Sequence, residues 1–347
     1  MTFAPSNPYD LFLHAKSMIK SRKLKIFKGA ALLFGASFLS YTIAKLGPLE
    51  ILHRILDLKW WALVILANSF LWAVLYTTAW RTYFLNLTQR IPFLALLKIK
   101  ICGEAVNVMT PLNFMAGDPV RVLLLEKQIG RHTRMGSVIV DRILHSLATV
   151  SFVLTGIIVI FWSTDVISAP IQRILLGLYV VIVAFLGFVV TELVRGKGIK
   201  VFHPILLKLH ISRRFPAFEE HLALLNEELS SFAGGRVSLF FKALTLHFIG
   251  RVLGVVEISI IFTYLTGHPY PLLALMLTAL TTALNFVFAF IPGVLGVMES
   301  FYAGFFYFYG LNPALGITMQ LIRRLRSAFW LGTGIILLGR NRRRESP

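Results

Sequence analysis

From Ile258 to Ile322 the sequence runs for 65 residues with a single Asp, Glu, Lys or Arg, and that residue is Glu299. A helix needs ~20 apolar residues to cross the hydrocarbon core of a bilayer, so this stretch has room for about three passes. A water-soluble domain has no use for so long an uncharged run. Other segments fit the same reading. Trp60–Trp80 is 21 residues without an Asp, Glu, Lys or Arg, and Ile143–Thr164 and Ile174–Thr191 supply 22 and 18 more. Gly29–Ala44 is shorter, but Lys28 and Lys45 flank it and their stems can snorkel to the interface. Val237–Thr266 is apolar apart from Lys242, His247, Arg251 and Glu257. Only 15% of the chain is charged, against about 25% in soluble proteins. The apolar runs are continuous instead of alternating in ~10-residue segments, which excludes a β-barrel. The expected fold class is an all-α polytopic membrane protein.

Charge sets the expected orientation. The chain carries 35 basic and 16 acidic residues, a net +19. With no soluble domain to hold nucleic acid, the surplus reads as the positive-inside bias and attraction to anionic headgroups. The basic N-terminal arm, Arg81 to Lys100, Arg131 and Arg134, residues 193–236 and the tail from Arg340 all fall on one side by this rule. Both termini are therefore expected in the cytoplasm. Residues 92–127 then begin and end inside, and residues 270–311 begin and end outside. Each has a Pro/Gly-rich centre. We read them as re-entrant hairpins, with two short full spans as the alternative, because broken backbone at membrane depth is tolerated where protein surrounds it. The expectation is one membrane domain over 1–347, with about six full spans and two hairpins. Its first half is 1–192, its second half 237–347, and 193–236 is an amphipathic strap on the cytoplasmic leaflet.

The two hairpins share a spacing. Pro111 precedes Asp118 by seven residues and Arg142 by 31; Pro292 precedes Glu299 by seven and Arg323 by 31. All three pairs are related by one offset of 181 residues. Asn107 and Asn285 stand upstream of the prolines, and Gly117, Gly293 and Gly296 sit at the hairpin turns. Opposite entry sides make this an inverted-topology repeat, the layout in which transporters place a substrate between broken helices. Each ionisable group at bilayer depth costs roughly 2.5–3.5 kcal/mol on insertion scales. Asp118, Arg142, Glu299 and Arg323 are thus expected to meet in one site, with Arg121 as a local partner of Asp118. Arginine suits a phosphodiester because its planar fork donates two parallel hydrogen bonds. Buried ion pairs that merely fix helix register are the competing reading. His247 and Arg251 share a helix face, and His145 lies three residues after Arg142; these read as structural groups or a cavity wall. Arg324 and Arg326 read as an extension of the basic face toward the cytoplasm.

Cys102 is the single cysteine and the nine histidines are scattered, so no metal or other cofactor is expected. No nucleotide-binding loop or catalytic serine motif is present. The protein is not expected to be an enzyme, although paired acids leave open general acid–base work on a lipid phosphate.

GEAVNVMTPLNFMAGDPVRVLLL from Gly103, SVIVDRIL from Ser137 and IPGVLGVMES from Ile291, followed by an arginine-bearing helix through Gly332 and Gly334, resemble the transmembrane (flippase) region of lysylphosphatidylglycerol synthases and its stand-alone relatives. The resemblance covers nearly the whole chain. It implies a prokaryotic plasma-membrane protein that handles amphipathic lipids, with anionic or isoprenoid-linked lipids as partners. The positions matching its motifs are Asn107, Pro111, Gly117, Asp118, Arg121, Arg142, Pro292, Gly293, Gly296, Glu299 and Arg323. Ala116-Gly117-Asp118 stands where the family commonly has Gly-Gly-Glu, and the chain ends at Pro347 without the soluble aminoacyl-transferase domain. Lysyl transfer is therefore not expected. The reading is a lipid flippase; the alternative is a non-transporting partner that docks a glycosyltransferase or lipid-synthesis enzyme.

Overall fold

A computed structural model describes residues 48–86, 91–109, 117–126, 129–163, 169–195, 237–289 and 291–343. The expected first span, Gly29–Ala44, lies outside these residues, as do Pro111 and nearly all of the 193–236 strap. Ten α-helices carry the described chain: α1 (Pro48–Leu56), α2 (Lys59–Arg81), α3 (Phe93–Met109), α4 (Gly117–Leu124), α5 (Arg131–Ser163), α6 (Ala169–Val194), α7 (Val237–Thr266), α8 (Pro271–Val287), α9 (Val297–Phe308) and α10 (Pro313–Arg343). No strand occurs among the described residues. The fold is all-α, as the sequence indicates.

Helices α2, α5, α6 and α7 contain segments long and apolar enough to cross a bilayer. Helix α10, at 31 residues, is long enough but carries three arginines in its middle. Helix α5 corrects the sequence reading, for it begins at Arg131 and not near Ile143. Its first turns therefore bring Asp141 and Arg142 inside the helix bundle. The polar start misled because charge was read as an interface, whereas each of these charges has a partner within the protein.

In both hairpin regions a second helix returns along the first. Helix α4 runs back along α3: the Gly117 N–H bonds the Asn107 side chain at 2.7 Å, and Arg121 meets Glu104 at 2.8 Å. A Cβ on Gly117 would come within 2.0 Å of the Gly103 carbonyl oxygen, so the two helices touch through bare backbone. At eight described residues α4 is about 12 Å long, less than half the hydrocarbon thickness. Helix α9 likewise returns along α8, and the Tyr309 hydroxyl reaches Met276 Sδ at 3.7 Å. Between them Pro292–Val294 forms a 3-10 turn, with Gly293 at φ 62° and Gly296 at φ 79°. Those dihedrals suit glycine and strain residues bearing a Cβ.

The halves interlock reciprocally. Helix α3 of the first half packs on α10 of the second, and α8 of the second packs on α5 of the first. A glycine makes each approach close. A Cβ on Gly334 would lie 2.4 Å from Ala105 Cβ, and one on Gly156 would lie 2.2 Å from Ala279 Cβ. Helices α2 and α7 pair antiparallel at the centre, with Asn68 Nδ2 donating to the Leu253 carbonyl at 3.0 Å and the Tyr76 ring 5.4 Å from His247. The largest apolar core joins α7, α8, α9 and α10 through Phe262, Met276, Tyr302, Phe306 and Ile322.

Candidate functional site

The polar residues of the interior form two clusters. In the first, Arg142 makes a fork–fork pair with Asp118, Nε to Oδ2 and Nη2 to Oδ1, both at 2.7 Å. Asp118 stands in the first turn of α4, where the helix dipole also favours a carboxylate. Arg121 lies one turn on and is almost wholly buried. It reaches Glu104 at 2.8 Å, Asp141 at 2.9 Å and Asp118 at 3.5 Å. Asp141 also receives Lys100 at 2.6 Å, with both side chains sealed from solvent. The Lys100 ammonium and the Arg121 guanidinium each lie 5.6 Å from the Trp80 ring centre. Glu104, by contrast, is more than half exposed. It marks the accessible side of an otherwise packed cluster.

A chain of nitrogen ligands extends this cluster into the second half. Asp141 Oδ1 faces His247 Nε2 at 3.2 Å, His247 Nδ1 faces His145 Nδ1 at 3.3 Å, and His145 Nε2 accepts from Arg251 Nη2 at 2.7 Å. Tyr76 stacks edge-on to His145, ring centres 4.9 Å apart.

The second cluster is built on Glu257, which is completely buried. Arg323 Nε donates to its Oε1 at 3.1 Å and Arg326 Nη1 to its Oε2 at 2.6 Å. Arg323 also donates to the Tyr302 hydroxyl, and the Arg326 guanidinium covers the Trp72 ring at 4.7 Å. Glu299, also fully buried, is held elsewhere. One oxygen accepts the Gly296 N–H at 2.8 Å, capping α9, and the other accepts Arg324 Nε.

Two sequence expectations are corrected here. Glu299 pairs with Arg324, not Arg323, and no ion pair joins Asp118 or Arg142 to Glu299 or Arg323 among the described residues. Helical phase is the reason. Successive residues point ~100° apart, so Arg323 and Arg326, three apart, share the face toward Glu257 while Arg324 turns to Glu299. Arg324 and Arg326 are consequently interior ion-pair partners and not a cytoplasmic basic face. The two asparagines also part company. Asn107 is buried and caps α4, whereas Asn285 is exposed and donates to the Thr281 carbonyl of its own helix at 2.9 Å.

Lys100, Glu104 and Asp141 escaped the sequence reading altogether. Lys98 and Lys100 looked alike as flanking charges, yet a helix places them ~200° apart, and only Lys100 is buried. The i, i+4 spacing of Lys100 and Glu104 was the legible signal. Asp141 lies within SVIVDRIL, two residues before the span that hydropathy delimits at Ile143. Among the described residues no group of three or more His, Cys, Asp and Glu side chains is arranged to hold a metal ion.

Comparison with known proteins places this geometry. A family profile described as the lysylphosphatidylglycerol synthase TM region matches residues 29–335. The UPF0104 membrane protein of Pyrococcus horikoshii is 23% identical over 292 residues, covering 79% of this chain and 83% of the relative. The UPF0104 membrane protein of Methanothermobacter thermautotrophicus is 22% identical over 313 residues, covering 88% and 92% respectively. No solved structure matches. The chain belongs to the lysylphosphatidylglycerol synthase transmembrane-region family.

Proposed function

We propose that this member of the family is a flippase, moving an amphipathic lipid with a phosphate-bearing or glycosylated headgroup by alternating access between two inverted repeats. One observation carries the reading: each polar cluster holds one more cation than carboxylate. The first, assembled from both halves, sets Lys100, Arg121, Arg142 and Arg251 against Glu104, Asp118 and Asp141, and the second, whose charges all come from the second half, sets Arg323 and Arg326 against Glu257. Burying charge costs several kcal/mol per ion unless it is paired, so a leftover cation in each cluster supports an anionic ligand. Arg142 of the first cluster and Arg323 of the second keep partial access to solvent, and both are expected to hold the headgroup. The reciprocal packing of α3 on α10 and α8 on α5 supports two halves that rock against each other. The reading includes the plasma membrane of a prokaryote as the location, with both termini cytoplasmic, the orientation that the positive-inside bias supports.

The test is reconstitution into vesicles of phosphatidylethanolamine and phosphatidylglycerol with a trace of fluorescent phosphatidylglycerol. Accelerated loss of inner-leaflet label to an impermeant quencher supports the reading. A protein that stays folded and inert with phospholipid, glycolipid and isoprenoid phosphate probes refutes it, leaving a scaffold that docks a lipid-modifying or glycosyltransferase enzyme.

A further inference from the structure

Arg251 is the one cation of the first cluster without a carboxylate partner among the described residues. It sits at the centre of the Val237–Thr266 span, and His145 lies within one turn of the centre of Thr133–Trp162. Both are therefore near the bilayer midplane, where an ionisable side chain marks a functional site by default. Among the described residues, the only hydrogen bond Arg251 makes is to His145 Nε2, and its own Nε is buried with no partner among them. A neutral imidazole does not balance a guanidinium.

The arginine also fixes the tautomers along the chain. A guanidinium only donates, so His145 Nε2 carries no hydrogen and the ring's proton is on Nδ1. That proton points at His247 Nδ1, 3.3 Å away, which must then accept. The His247 proton is left on Nε2, facing Asp141 Oδ1 at 3.2 Å. Neither His247 Nε2 nor Asp141 Oδ1 has an aligned hydrogen bond; they meet as an ion-pair contact in which a charged imidazole would be favoured. With Arg251 in place, both rings are neutral and the entry position for a further proton, His145 Nε2, is occupied by a donor.

We propose that Arg251 is a mid-membrane site for an anionic headgroup and that His145–His247 is a proton site loaded when the anion draws Arg251 away. The inference rests on the transport reading and supplies its coupling ion. When Arg251 turns to the anion, His145 Nε2 is free to take a proton from water. The Nδ1 hydrogen passes to His247 Nδ1, and the imidazolium so formed rests against Asp141. One proton enters, no other group changes its proton count, and the anion's negative charge is matched by the proton's positive one. The net charge of the cluster returns to its starting value, so a monoanionic headgroup and a proton cross together without charge build-up. The groups touching the histidine pair are Tyr76 from α2, Asp141 from α5 and Arg251 from α7; behind Asp141 stand Lys100 from α3 and Arg121 from α4, and Arg121 in turn holds Glu104 of α3. Helix α8, which packs on α5 and α7, has no charged residue.

The test uses purified protein in neutral detergent, with soluble dihexanoyl phosphatidylglycerol as the probe and a weakly buffered pH readout. Binding is expected to take up about one proton per site by linkage, and the uptake is expected to vanish in Arg251→Gln and in His145→Gln/His247→Gln. Nitrogen-15 spectra of the histidines give a readout that fold loss does not imitate: without probe, His145 should show the Nδ1–H tautomer and His247 the Nε2–H tautomer, changing to an imidazolium on binding. Binding without proton uptake, uptake that survives the double histidine variant, or no binding at all would each overturn the proposal. Proton-linked binding in a protein that does not move lipid would instead count against the transport reading alone.

Discussion

Replacing Asp141 by Asn should be among the most destabilising single changes in this protein, and the structure says which neighbour bears the cost. Asp141 takes Lys100 at 2.6 Å and Arg121 at 2.9 Å in a site closed to solvent. Without it, Arg121 keeps Glu104 and Asp118. Lys100 keeps only the ring faces of Tyr76 and Trp80, 5.9 and 5.6 Å away. Breaking a buried pair from one side costs about 3–5 kcal/mol because a charge is left without compensation. The cation–π contacts of Lys100 exist with or without Asp141 and offset none of this loss. Asp141→Asn should therefore lose about 3–5 kcal/mol in reversible unfolding from mixed micelles. Lys100→Met should lose less, since Asp141 then retains Arg121 and His247. In Lys100→Met/Asp141→Asn no ion is stranded, and the double variant should recover at least about 1.5 kcal/mol relative to the sum of the singles, well outside the ~0.5 kcal/mol scatter of independent sites. Additive losses would refute the assignment of Lys100 and Asp141 as a coupled buried pair.

Gly156→Ala drives a methyl to 2.2 Å from Ala279 Cβ, and overpacking of this kind costs about 1–3 kcal/mol; Gly156→Ala/Ala279→Gly should restore the thermal midpoint that the single change lowers. Asn107→Ala removes the acceptor of the buried Gly117 N–H and should cost about 1–3 kcal/mol, whereas Asn285→Ala, at an exposed position, should stay within about 0.5 kcal/mol in the same unfolding assay.

The membrane class and the all-α fold were legible because they depend on local properties, namely run length and charge gaps. Val237–Thr266 and Trp60–Trp80 were bounded to within a residue of α7 and α2 for that reason. The Asp118–Arg142 pair was also legible, from the proline–acid–arginine order shared by the two halves. Pairing beyond that depended on rotation about the helix axis, which a residue count does not supply. The 24-residue spacing pointed from Glu299 to Arg323, and the side chain that arrives is Arg324, one residue and ~100° away. The tertiary partners of Lys100, Glu104 and Glu257 come from other helices, and no periodicity within one helix encodes such a meeting.

The account turns on whether the paired charges bind lipid or only hold helices. Translocation of fluorescent phosphatidylglycerol should be measured in vesicles carrying the variants Asp118→Asn/Arg142→Gln and Arg323→Gln. The first removes a cation and a carboxylate together and the second leaves Glu257 paired with Arg326, so neither strands a buried ion and the fold should survive. Folded variants with translocation reduced to the protein-free rate are the predicted result; wild-type rates in both would show that these ion pairs serve the fold alone.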